Sequence, residues 1–180
     1  MKKIAVTGAF GSGKSTLCQV LKELGADVVD ADSIGHKLLE GQDREAVIKL
    51  LGPEIVTGDR IDRRKVAEIV FNNPKKLKAL EQILHPHIIE NIKQASVHSN
   101  LFVAEIPLLF ETGWDQWFDL TVCVTRNLSK AHPEYAKRMA NQFPQTIKAE
   151  KSDIVIENNG SLKQLKTKAK QLYKEISRHV

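Results

Sequence analysis

Only two of the 180 residues are cysteines, Cys18 and Cys123. They stand far apart with no metal-ligand spacing around either. A disulfide-stapled scaffold and a zinc module are therefore excluded, and both thiols read as reduced, buried and inert. Long apolar runs are also absent. After Met1-Lys2-Lys3 the apolar stretch lasts only a few residues before glycines interrupt it, too short for a signal peptide or a membrane span. A cytoplasmic location without a membrane partner is the expectation. Internal repeats and low-complexity segments are missing, which removes solenoids and linker-rich arrays. One further absence matters. Asp32-Ser-Ile-Gly35 fits the D-x-x-G of a nucleotide switch, but no N-K-x-D guanine motif occurs anywhere, so a GTPase reading is weak.

What is present suits a compact enzyme or binding domain. Hydrophobic residues make up 42% of a chain with formal net charge +5, enough to bury a core in one domain with at most a small excursion. The positive balance suits polyanionic ligands, and nucleotides qualify as readily as nucleic acid. The lysines form no block. They fall in Lys75-Lys76-Leu-Lys78, from Lys148 to Lys151 and from Lys163 to Lys174, where they alternate with apolar residues at helical spacing and read as solvated helix faces. No nucleic-acid partner is expected.

The strongest local signal lies near the start. Lys3-Ile-Ala-Val-Thr7 leads into Gly8-Ala9-Phe10-Gly11-Ser12-Gly13-Lys14-Ser15-Thr16, a complete G-x-x-x-x-G-K-S/T loop. Its glycines let successive backbone amides face phosphates, Lys14 reaches the terminal phosphates, and the Ser15 hydroxyl is placed for Mg²⁺. Leu17, Val20, Leu21 and Leu24 follow at i, i+3, i+4 and i+7, so the loop opens an amphipathic helix whose N-terminus adds its own preference for anions. The chain binds a nucleoside triphosphate on this reading.

Apolar runs predict strands at about Ile4–Thr7, Val28–Asp30, Leu101–Ile106, Leu120–Val124 and Ile154–Ile156. Helical patterns lie between most of them, so the expected fold is α/β with a doubly wound, parallel, five-stranded sheet whose ligands gather at the carboxyl ends of the strands. About residues 36–100 read as several helices with no convincing strand, a helical insertion longer than a crossover needs. Leu77, Leu80, Leu84, Ile88 and Ile92 carry a helical stripe through it, and Pro86 is expected to kink or restart that helix after His85. Leu162, Leu165, Ala169, Leu172 and Ile176 form a last packing helix, with Asn158-Asn159-Gly160 as its opening turn.

Three constellations could carry chemistry. The second strand ends in Asp30-Ala31-Asp32, and Asp32 could accept a hydroxyl proton during phosphoryl transfer. A helix N-cap is the alternative for either aspartate. Glu105 ends the third strand and is either a metal-shell carboxylate or an ion-pair partner. Pro107-Leu108-Leu109-Phe110 is either core or an apolar wall gripping a substrate. Lone His36 and His85 read as satisfied core or surface residues unless further support points to function.

With these residues in hand, the chain resembles the dephospho-CoA kinases, P-loop enzymes that phosphorylate a ribose 3′-hydroxyl using ATP. The motifs recur in order: the loop, Asp30-Ala31-Asp32 with His36, and Ile61-Asp-Arg63 ahead of Val70-Phe71-Asn72-Asn-Pro74. Leu84-His85-Pro86, Ile106 to Glu111, Gln142 with Pro144 and Lys148, and Asp153 to Ile156 with Asn158 and Gly160 complete the set. The resemblance implies a single P-loop kinase domain over 1–180, with the insertion at about 36–100 binding substrate and a lid at about 126–145. It also implies roles. Asp32 is the general base; Gly8 to Thr16 and Asn158 hold ATP; Ser15 and Glu105 serve Mg²⁺. Asp32, His36, Arg63, His85 and the Pro107–Phe110 wall hold dephospho-CoA. One departure stands out. Between Val124 and Pro133 roughly ten residues of the family's lid are missing, against usual connection lengths, and only Arg126, Lys130, Lys137 and Arg138 remain nearby. A nucleotide-binding protein with weak or lost transfer, or a kinase of another hydroxyl or nucleotide acceptor, stays open at this point.

Overall fold

The computed structural model describes residues 1–127 and 142–179. In chain order the elements are β1 (Lys2–Gly8), α1 (Lys14–Glu23), β2 (Asp27–Asp30), α2 (Ala31–Glu40), α3 (Arg44–Leu51), β3 (Val56–Thr57), β4 (Arg60–Ile61), α4 (Arg63–Phe71), α5 (Pro74–Ser96), β5 (Leu101–Glu105), β6 (Leu120–Thr125), α6 (Gln145–Lys151), β7 (Ile154–Glu157) and α7 (Leu162–Ile176). The chain divides into two compact units, Met1–Asp30 with Ala95–Val180 and Ala31–Gln94. The expected lid segment falls mainly on residues 128–141, including Lys130, Lys137 and Arg138, and these lie outside the described residues.

The first unit is built on a parallel five-stranded sheet in the order β2-β5-β1-β6-β7. After β5 the chain passes β1 to reach β6, so the strand order reverses at β1, and the glycine loop sits at that reversal point. This is where open α/β sheets leave a crevice for ligands. The apolar runs make this possible because central strands are covered on both faces; every residue of β5 is buried. On one face Leu17, Val20 and Leu21 of α1 pack with Leu165, Ala169, Leu172 and Ile176 of α7 over Ile4, Val6, Val103, Val122 and Val124. The expected α7 stripe holds except at Leu162, the first helical residue, which is 59% exposed. Ser161 starts the helix through a capping box with Gln164, satisfying two amides that otherwise lack partners.

The second unit has its own core of Leu39, Val47, Leu51, Ile55, Ile61, Val66, Val70 and Leu80. It is helical, as expected, but it also contains an antiparallel hairpin, β3 with β4, pairing Val56 with Ile61 and Thr57 with Arg60. Strands of two residues leave no alternation to detect. The signal was the turn itself, Gly58-Asp59, with Gly58 at φ 60°. Asp62 then caps α4, its Oδ1 accepting from the Arg64 amide at 2.9 Å. The helix does not restart after His85. Helix α5 runs from Pro74 to Ser96 with Pro86 inside it, because the buried stripe of Leu80, Ile88 and Ile92 on both sides of the proline holds the helix together against one lost backbone bond.

Candidate active site

The loop between β1 and α1 brings four predicted groups together. Gly8 has φ 142°, and a Cβ there would lie 2.3 Å from the Val124 carbonyl oxygen. Gly13 precedes α1 with φ 105°. Neither place admits a side chain without displacement. Lys14 Nζ donates to the Ala9 carbonyl at 3.0 Å, which folds its buried ammonium back over the loop. Ser15 Oγ donates to Glu105 Oε1 at 2.8 Å. Glu105 is buried, and its carboxylate accepts the hydroxyl of the loop serine.

Strand register places a second carboxylate at the same end of the sheet. Asp30 is the register partner of Glu105, and Glu105 of Val6. Cys18, one turn beyond Lys14 on α1, reports this environment. Burial first, then the negative charge of Glu105, push its thiol well above the usual range, while Lys14 opposes them and Asp30 adds to the rise. Burial likewise raises Cys123 to about 11. Neither thiol is a nucleophile. A hydroxyl and a buried carboxylate next to a phosphate loop are hard oxygen donors, and Mg²⁺ takes such groups sparingly, completing its shell from phosphates and water. Ser15 and Glu105 fit that ion. Among the described residues no cluster of three or more His, Cys, Asp or Glu forms a dedicated metal cage.

The second unit carries its own alignment. Helix α2 begins at Ala31, so Asp32 lies inside its first turn. Its exposed carboxylate sits where the helix dipole favours negative charge. His36 follows one turn later on the same face. Arg63, first residue of α4, donates from Nη1 to His36 Nδ1 at 3.0 Å. Half-buried His85 on α5 titrates below its ordinary value because burial disfavours the imidazolium, with Glu81 opposing. Of the Pro107–Phe110 tract in the first unit, Leu109 is wholly enclosed and belongs to the core, whereas Pro107, Leu108 and Phe110 are half-buried.

Two features escape a reading of residues alone. Asn158, expected near the nucleotide, is buried, and its Nδ2 donates to the Ser12 carbonyl at 2.8 Å while its backbone amide donates to Thr125 at 2.7 Å. It braces the loop from β7. Lys148 is entirely buried and pairs with Glu111 at 2.9 Å. Both residues stand in the ordered motifs, but nothing in their spacing foretells the pairing.

A glycine loop at the end of β1, with a serine hydrogen-bonded to a buried carboxylate, is the feature that a phosphate-binding site requires. A family model described as dephospho-CoA kinase matches residues 2–164. The chain belongs to the dephospho-CoA kinase family. It is 35% identical to the dephospho-CoA kinase of Protochlamydia amoebophila, covering all of this chain and 98% of that one. Among solved structures, a crystal structure from Thermus thermophilus is 34% identical with a TM-score of 0.80, each chain covered to 98%. A dephospho-CoA kinase from Campylobacter jejuni is 29% identical with a TM-score of 0.76, each covered to 99%. No helix among the described residues is long and apolar enough to cross a membrane.

Proposed function

We propose that this chain transfers the γ-phosphoryl group of ATP to the ribose 3′-hydroxyl of dephospho-CoA, giving coenzyme A and ADP, in the cytoplasm. The observation that carries the reading is the family match, which spans residues 2–164 and so includes both the glycine loop and the Asp32, His36, Arg63 and His85 positions. Two free cysteines fit a reducing compartment.

The amides of residues 9–16 and the Lys14 ammonium hold the triphosphate and neutralise charge that shifts toward the leaving oxygen. Ser15 and Glu105 would hold Mg²⁺, which when bound would offset the negative charge of the phosphates. The 3′-oxygen attacks phosphorus as its proton passes to the Asp32 carboxylate. The bond from phosphorus to the β–γ bridging oxygen breaks, and that oxygen leaves with the electron pair as part of ADP. Asp32 returns the proton to water. His36, Arg63 and His85 are the acceptor-binding residues of this reading in the second unit, and the half-buried Pro107, Leu108 and Phe110 those in the first.

Asp32→Asn removes the base while preserving shape. In a coupled ADP-release assay kcat should fall by roughly 10²–10⁴-fold, with both KM values and the thermal midpoint nearly unchanged because Asp32 is exposed. Retention of full kcat would remove Asp32 from the mechanism. Turnover with a different hydroxyl acceptor in preference to dephospho-CoA would overturn the substrate.

A further inference from the structure

A lysine with no exposed surface is an unusual occupant of a short helix, and Lys148 on α6 is 0% exposed. Its Nζ meets Glu111 Oε1 at 2.9 Å and donates a hydrogen bond to the Pro107 carbonyl. The same carbonyl accepts from Thr7 Oγ1 at 3.3 Å, at the end of β1 just before the glycine loop. Glu111 Oε1 also accepts from the Phe143 amide at 2.8 Å. Ser152 closes the arrangement by donating from Oγ to the Lys148 carbonyl at 2.7 Å. One ammonium thereby ties both ends of the Pro107–Glu111 turn, Pro107 at the first residue and Glu111 at the last, to α6 and to β1.

Such a buried pair is weak grounds for stability, since matched apolar side chains commonly do as well. Geometry is what it supplies. The turn follows Glu105 by two residues, and Glu105 holds the loop serine. A loosened turn would move the half-buried Pro107, Leu108 and Phe110 surface. We propose that Lys148 is a positioning residue for the acceptor, fixing the Pro107–Phe110 surface through the Pro107 carbonyl and Glu111. This rests on the reading of dephospho-CoA as acceptor and of that surface as part of its site.

The test uses the full chain with Lys148→Met, the double variant Lys148→Met/Glu111→Met, and Glu111→Gln, which keeps an acceptor for the Phe143 amide. The single lysine variant leaves a buried carboxylate unpaired and can unfold; the double variant replaces the pair by apolar groups of similar length, and Glu111→Gln is the mildest change. Thermal midpoints, kcat and both KM values are measured for each folded protein. A merely structural pair predicts that the double variant recovers both midpoint and kinetics. The positioning role predicts a recovered midpoint with kcat/KM for dephospho-CoA still lowered about tenfold or more, chiefly through KM, and KM for ATP within about twofold of wild type. Glu111→Gln should show the same split in smaller measure. Folded variants with wild-type acceptor KM, or with equal losses for both substrates, overturn the inference. Wild-type protein that does not turn over dephospho-CoA overturns the acceptor reading instead, and with it the role assigned to this surface.

Discussion

At the scale of single residues, the phosphate loop depends on how closely its backbone is approached from outside. A Cβ on Gly13 would lie 2.4 Å from Asn158 Nδ2 and 3.2 Å from Leu165 Cδ2, at a φ of 105°. The glycine is therefore required twice, once for conformation and once for the amide beside it. That amide satisfies the Ser12 carbonyl, and a buried acceptor stripped of its partner costs about 1–3 kcal/mol. Asn158→Ala should accordingly lower the thermal midpoint by several degrees and raise KM for ATP roughly tenfold, with kcat for bound substrates less affected. Steady-state kinetics with ATP varied, alongside a thermal melt, checks this. An unchanged KM for ATP would mean that the loop keeps its shape without the brace.

At the scale of elements, β7 is an edge strand, and its approach is fixed by Asp153. Its Oδ2 accepts from both the Thr121 amide and hydroxyl at 2.7 Å, and its own amide donates back to that hydroxyl at 3.0 Å. The Thr121 hydroxyl first and its amide second hold the Asp153 carboxyl below the usual range. A depressed folded value gives stability that is present above the unfolded carboxylate range near pH 4 and is lost as pH falls through the still lower folded value. Acid unfolding followed by circular dichroism should therefore show Asp153→Asn less stable than wild type at pH 7, with the difference shrinking below about pH 4. A difference independent of pH would refute the linkage. The same elements show what a sequence reveals. α1 and α7 were legible because their apolar stripes keep helical spacing over several turns, and β1 because its short apolar run leads straight into the glycine loop, whose spacing carries its own chemistry. The β3–β4 hairpin was hidden by strands of two residues, and the helix passes Pro86 without restarting because local breaking rules yield to a stripe buried on both sides. Helix α6 inverts the usual pattern, with Ile147 partly exposed and Lys148 enclosed, so no periodicity could point to the Lys148–Glu111 pair.

At the scale of the molecule, the chain is two packed units, each with its own core, and the triphosphate loop belongs wholly to the first. Net charge +5 favours encounters with anionic substrates in a salt-dependent way, but binding itself stabilises only what the ligand touches. The loop joins β1 to α1, and α1 shares its core with α7, β5, β6 and β7, so a ligand seated on it opposes unfolding of that whole unit. ATP with Mg²⁺ at a hundred times its dissociation constant contributes about 2.7 kcal/mol, which for a chain of this length raises the midpoint by roughly 5–10 °C. Lys14→Ala removes the ammonium that folds over the loop and should abolish most of that rise while leaving the ligand-free midpoint within a few degrees of wild type. Differential scanning fluorimetry with and without Mg·ATP reads both proteins directly. Equal rises in the two would show that the nucleotide's stabilising contacts lie elsewhere than at Lys14, and the assignment of the loop as the seat of the triphosphate would fall with them.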